Sequence, residues 1–285
     1  SSAGDVNGDG FDDVIVGAFA ADPNGDFSGS SYVLFGKATG FDAQMDLSNL
    51  DGSNGFRLDG DHARNMSGTV SSAGDVNGDG FADVIVGALF ANSNGSWTGS
   101  SYVLFGKASS FDAQMNLSSL DGQNGFRLDG EHEGDRSGNS VSSAGDVNGD
   151  GFDDMIVSAF QADPNGDKSG SSYVVFGKAS AFDAQMDLSS LDGSNGFRLD
   201  GEKVGSFSGL SVSGAGDVNG DGFGDVIIGA PGIAADDFSG YSYVVFGKAT
   251  GFDAHVDLSS LNGSNGFRLS GENGRDASGE SVSGA

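Results

Sequence analysis

A motif that returns every 70 or 71 residues, about four short extended runs in each copy, and 51 glycines beside only 3 prolines predict an all-β chain. Four strands per copy make a propeller blade, whose radial stacking leaves only short, protected edges. The predicted fold is a β-propeller of four-stranded antiparallel blades, with four blades in this chain. A β-solenoid is the rival, but its repeats are usually much shorter. The 285 residues read as a single repeat domain, 1–285, with repeats at about 1–70, 71–141, 142–212 and 213–285.

The period is set by three landmarks. Gly-Asp-Val-Asn-Gly-Asp-Gly-Phe places its first Asp at Asp5, Asp75, Asp146 and Asp217, spacings of 70, 71 and 71. Tyr-Val-(Leu/Val)-Phe-Gly-Lys begins at Tyr32, Tyr102, Tyr173 and Tyr243, and Asn-Gly-Phe-Arg-Leu at Asn54, Asn124, Asn195 and Asn265. In the first copy, Val14-Ile15-Val16-Gly17-Ala18 is apolar throughout, as expected of a strand covered on both faces. Residues 31–36 supply a second strand. In 55–59 the pattern alternates, with Phe56 and Leu58 inward and Arg57 outward. The run before each Asp-rich loop, 138–144 for example, supplies the fourth. Stretches such as 22–26 and 51–55 are turn chemistry, rich in Asp, Asn, Gly and Pro. Phe numbers 22, almost all at repeated positions (Phe11, Phe35, Phe41, Phe56 and their counterparts), and this periodicity reads as blade-to-blade packing.

Composition narrows the function classes. There is no cysteine, so neither a disulfide framework nor a thiolate metal site is available. Acidic residues outnumber basic ones 41 to 13, a formal charge of −28, which repels a phosphate backbone and disfavours nucleic acid as a partner. No apolar run reaches the length of a membrane span, and no signal-peptide pattern opens the chain. Starting at Ser1 inside an expected strand, the sequence reads as a processed form or an excerpt of something longer.

The acidity is grouped. Each copy contains Asp-x-Asn-x-Asp-Gly-Phe-x-Asp, an alternation of carboxylate and amide oxygens that can wrap a hard cation, with a Gly that lets the backbone turn back around it. In the first loop the expected ligands are Asp5, Asn7, Asp9 and Asp13, with the backbone carbonyl of Phe11. The second uses Asp75, Asn77, Asp79, Phe81 and Asp83; the third Asp146, Asn148, Asp150, Phe152 and Asp154; the fourth Asp217, Asn219, Asp221, Phe223 and Asp225. The opening matches an EF-hand loop, but position twelve is Val16, Val86, Val157 or Ile228 rather than a bidentate Glu, and strands rather than helices flank it. The residue before the last Asp varies (Asp12, Ala82, Asp153, Gly224) while the proposed side-chain ligands do not. Three carboxylates within nine residues repel one another without a cation. Calcium is expected over magnesium, which tends to keep its waters, at about one ion per repeat and four in all.

The combination resembles the FG-GAP repeat family, best known from the integrin alpha-subunit propeller. Gly229-Ala230-Pro231 follows the fourth loop as that motif; the others read Gly17-Ala18-Phe19, Gly87-Ala88-Leu89 and Ser158-Ala159-Phe160, and the Phe-Gly position is degraded. The resemblance covers the whole chain. It implies a β-propeller with calcium between adjacent strands of each blade, and no particular ligand.

Integrin-like propellers have seven blades, and 283–285 align with 1–3. A closed four-blade ring, part of a larger ring, or half of an eight-bladed dimer all fit, and four blades from a longer secreted protein is the favoured reading. The leading function is a non-enzymatic extracellular adhesion or ligand-binding module for a protein or glycan. Its binding segments are expected at 22–28, 92–98, 163–168 and 233–238, where the repeats differ most. Trp97, the only Trp, is read as filling a local apolar gap, and the Asp-Pro-Asn-Gly-Asp runs at 22–26 and 163–167 as exposed turns. A structural unit of a surface layer or filament, self-associating through near-identical blades, is the alternative. An enzyme ranks last, at most as an accessory region of a secreted hydrolase: His62, His132 and His255 form no catalytic spacing, and no nucleophile elbow or phosphate loop occurs.

Overall fold

The computed structural model describes residues 1–232 and 239–284. The expected segment 233–238 lies outside them. Four antiparallel sheets follow the four repeats. In the second, Thr69–Gly74, Asp83–Ala88, Ser100–Leu104 and Gly125–Asp129 lie side by side in chain order. The others repeat this plan, as in Val141–Gly145, Asp154–Ala159, Ser171–Val175 and Gly196–Asp200 of the third. Such strands, buried on alternate or both faces, are the blades of a β-propeller.

The first strands of successive sheets lie together: Ser2–Gly4 touches Thr69–Gly74, which touches Val141–Gly145, which touches Ser211–Gly216. They are the inner edges of the blades. Each carries a bulge just before the Asp-rich loop, for example between Ser72 and Gly74, where Gly74 takes φ +81°. That left-handed residue ends the ladder and re-aims the chain into the loop.

The hydrophobic cores sit between blades. One joins Ile15, Val33, Phe56 and Leu58 of the first sheet to Val84, Val86, Tyr102 and Leu104 of the second. The next two repeat it one and two blades on. At each, three Phe rings meet. Phe111 stacks on Phe56 at 4.4 Å, Phe182 on Phe126 at 4.3 Å and Phe252 on Phe197 at 4.7 Å, with Phe35, Phe105 and Phe176 against their sides. The periodic Phe at these positions is thus inter-blade packing. Phe56 and Leu58 point inward and Arg57 is half-buried, as its alternation predicts.

Two features differ from the sequence reading. Three sheets have a fifth strand, donated by the following repeat: Gln114–Asn116 runs parallel to Gly55–Asp59, Gln185–Asp187 to Gly125–Asp129, and His255–Asp257 to Gly196–Asp200. Three polar-leaning residues carry no readable period, and their partner lies one repeat away. The second difference is at Val14 and Val16, expected to be covered on both faces but 47% and 43% exposed. Their counterparts Val84 and Val86 are fully buried, because the first blade packs on them. Among the described residues nothing buries that face of the first sheet, and no hydrogen-bonded strand pair joins the first sheet to the fourth.

Candidate metal loops

Each Asp-rich loop links the innermost strand of a blade to the second. The side chain of its first Asp is drawn to the loop's own backbone. Asp5 Oδ1 accepts from Gly8 N–H at 2.7 Å and Asp9 N–H at 3.1 Å, and Oδ2 from Gly10 N–H at 2.8 Å. Asn7 Oδ1 accepts from Asp9 N–H, and Asp9 Oδ1 from Phe11 N–H. Asp75, Asp146 and Asp217 head the same network in the other three loops. These turns gather the oxygens of the first, third and fifth loop residues, and every carboxylate keeps lone pairs beyond the bonds it accepts.

The ninth residue is different. Asp13, Asp83, Asp154 and Asp225 are all buried. Asp83 Oδ2 accepts from Val76 N–H at 2.9 Å and Oδ1 from Gly106 N–H at 2.8 Å, so one side chain ties the loop entry to the end of the third strand. The other three make the same pair of bonds. Burial pushes the carboxyls of Asp83 and Asp154 up to about 8 and that of Asp13 to about 6; the backbone N–H donors oppose the rise, and the first and fifth loop carboxylates add to it. Asp225 is raised by the same burial.

The family model of the FG-GAP repeat matches residues 1–34, 67–104, 137–175 and 208–245, each match spanning one such loop and the strands around it. The chain belongs to the FG-GAP repeat family. It is 29% identical to integrin alpha pat-2 of Caenorhabditis elegans over 239 residues, 81% of this chain and 17% of that protein. It is 28% identical to integrin alpha-5 of Xenopus laevis over 230 residues (77% and 20%) and 31% to integrin alpha-PS5 of Drosophila melanogaster over 158 (55% and 14%). The chain therefore spans about a fifth or less of these relatives' length.

Successive FG-GAP loops are tied together, a feature the sequence reading missed. Ala82 N–H donates to Asp5 C=O at 3.0 Å, Asp153 N–H to Asp75 C=O at 3.1 Å and Gly224 N–H to Asp146 C=O at 2.7 Å. The backbone of the variable residue before the last Asp is the one contact common to all three, which leaves its side chain free to drift; Asp153 alone adds its side chain, Oδ2 accepting from Asp75 N–H at 2.9 Å. The loop Phe covers the preceding loop: a Cβ built at Gly8 would lie 2.2 Å from the Phe81 ring, and Gly78 and Gly149 stand likewise under Phe152 and Phe223. The invariant Gly after each Asn was the available signal.

Among the described residues, no three His, Cys, Asp or Glu side chains converge as a preformed metal cluster. The donor set of each FG-GAP loop nevertheless fits a hard cation: three carboxylates, one amide and one backbone carbonyl, all oxygen.

At the opposite ends of the strands the rim segments fold as pinned turns. Asp22 and Asp163 accept from Phe27 N–H and Lys168 N–H, and Asn24 and Asn165 donate to Gly60 C=O and Gly201 C=O of their own blades. Trp97 does not fill a gap: it is 54% exposed, edge-on to Phe90 at 6.1 Å, with Arg136 over both rings. His62 and His132 stand exposed beside Asp61 and Asp135, as variable turn residues. His255 lies in a fifth strand.

Proposed function

We propose that this chain is a non-enzymatic, calcium-braced extracellular β-propeller module that serves adhesion or ligand binding at or outside the cell surface. One observation carries the calcium reading: four loops present the same all-oxygen donor set, and each has a buried ninth carboxylate. Asp5, Asn7, Asp9, Asp13 and the Phe11 carbonyl would hold one ion, and the corresponding five residues of each later loop another. The ion would neutralise clustered carboxylates and brace loops that no disulfide can brace. Similarity to integrin alpha subunits supports the adhesive role, and no helix among the described residues is long and apolar enough to cross a membrane.

Metal held only by the folded chain stabilises it by about 2.7 kcal/mol per site at a hundredfold excess over Kd. Thermal melting in calcium and in chelator tests this. A large downward shift in chelator is expected, with magnesium restoring less of it. Superimposable transitions would refute the bracing role. The rim segments, with Trp97 exposed among them, are the proposed ligand surface, and a screen against glycans and matrix proteins would find its class.

A second reading, a structural unit of a surface layer or filament, is favoured by the near-identity of the repeats.

A further inference from the structure

At the rim opposite the metal loops, a cavity opens between the first and second blades and another, at the same repeat position, between the second and third. We propose that the first of these binds a neutral sugar, one of whose hydroxyls bridges Asp61 and Arg127; this rests on the reading of the rim as the ligand surface.

Both boundaries set an acid at the end of one blade against a Tyr and an Arg of the next. At the second, Glu131 closes the gap: it accepts from the Tyr173 hydroxyl at 2.9 Å and from Arg198 Nη1 at 3.0 Å. At the first, the acid is Asp61, one methylene shorter. Its side chain is 5% exposed, with Asn65 Nδ2 donating to Oδ1 at 2.7 Å and His62 Nδ1 standing 3.0 Å from Oδ2. Asp61 still faces Tyr102, but among the described residues no ion pair or hydrogen bond joins it to Arg127. Arg127 is held by Asp129 of its own strand, through Nε at 2.7 Å and Nη2 at 2.8 Å, and Nη1 makes no hydrogen bond among the described residues. A fixed acceptor and a fixed donor thus line one cavity without reaching each other. The cavity measures about 470 Å³, against about 320 Å³ where Glu131 spans the gap.

The class of ligand follows from what can join such a pair. A hydroxyl both donates and accepts, whereas a carboxylate would be repelled by Asp61 and an ammonium by Arg127. The wall as a whole is balanced, one carboxylate against one guanidinium, in a chain of formal charge −28. The second cavity is not: there Glu131, Glu133, Asp135 and Asp163 face Arg198. The rest of the first wall includes the amides of Asn65 and Asn92 and the hydroxyl of Ser93. An apolar ligand would strip these groups of water and leave them unpaired, while a ring bearing several hydroxyls would pair them. The volume lies in the range of small-ligand clefts, about 300–1,000 Å³.

The test is a titration of the 285-residue chain, in calcium, with neutral hexoses and N-acetylhexosamines, followed by saturation-transfer and chemical-shift NMR. The matching uronic acids and free amino sugars serve as charged counterparts. A neutral sugar should bind, and its charged counterparts should bind roughly tenfold or more weakly. Asp61→Glu restores the reach that Glu131 has and should weaken binding by roughly tenfold or more, with the melting temperature unchanged or raised. Should that variant melt lower, Ala63→Phe decides: Ala63 is exposed at the cavity wall, and a ring there blocks entry without removing a hydrogen bond. No binding by any neutral sugar overturns the proposal, as does binding that survives these variants or that favours a charged counterpart. A glycan or matrix protein that is captured by the chain and unaffected by either variant overturns this site and leaves the rim as a ligand surface. Failure of every ligand, in the screen and in the titration, removes both.

Discussion

Gly78 and Gly80 stand two residues apart in the same loop, both left-handed at φ +73° and +88°, yet they face different constraints. A side chain at Gly80 meets nothing within 4 Å, whereas one at Gly78 collides with the Phe152 ring. Gly80→Ala should therefore cost only the left-handed strain, about 1–2 kcal/mol, while Gly78→Ala adds displacement of a ring packed between loops, about 1–3 kcal/mol more. Paired denaturant melts measure the difference, and equal losses would mean that the ring contact contributes nothing. Asp135 offers a separate test at the opposite rim. Burial pushes its carboxyl up to about 6, His132 opposing the rise while Glu131 and Asp163 add to it. A carboxyl whose pKa is higher folded than unfolded favours the fold when protonated. Its contribution is full below the unfolded value near 4 and is lost as pH rises through 6. Asp135→Asn should gain stability relative to the parent between pH 4 and pH 7, by about 1 kcal/mol after allowance for solvent screening. A difference in melting temperature that stays constant across that range would count against it.

Among the elements, the Phe rings between blades allow a comparison within one molecule. Phe182 and Phe41 occupy the same repeat position in identical segments, one buried between blades and one exposed. Phe182→Ala should cost about 3–5 kcal/mol, as large-to-small changes of buried aromatics do, and Phe41→Ala close to nothing in the single chain. Chemical denaturation of the two variants checks this; a large loss at Phe41 would mean that its ring is already covered in solution. The same residues show what the sequence made legible. Periodic Phe, the alternation through Phe56-Arg57-Leu58 and the apolar run at 84–88 follow from side-chain direction in a pleated strand, so the four blade strands were readable. The fifth strand was not. Residues 114–116 are too few to show a period, and what makes them a strand is Arg57 to Asp59 of another repeat. Exposure of Val14 and Val16 was unreadable for the same reason, since a strand's pattern states which faces are apolar and not whether a neighbour arrives to cover them. In the candidate metal loops the Asp and Asn positions were plain from spacing, whereas the ninth Asp's bond to the end of the third strand depends on a residue 23 positions away.

For the molecule as a whole, charge is the term that all four loops share. The formal charge is −28, and four calcium ions, at two charges each, would reduce it by eight to −20. Most of what remains is spread over surface turns, where repulsion is screened within about 10 Å at 0.1 M salt. The loop carboxylates differ, because first, fifth and ninth residues of one loop sit within a few residues of each other and the ninth is buried, where mobile ions screen poorly. Monovalent salt and calcium should therefore act on different parts of the same repulsion. In chelator, raising sodium chloride from about 0.02 to 0.5 M should raise the melting temperature steadily, since both surface and loop charge are then unneutralised. In saturating calcium the same titration should give a shallower slope, with the loop contribution already removed. No amount of sodium chloride should lift the chelated protein to the calcium-bound value, because a screening ion does not occupy the all-oxygen donor set. Parallel salt slopes with and without calcium, or full rescue by sodium chloride, would show that the loops respond to calcium only as general surface charge.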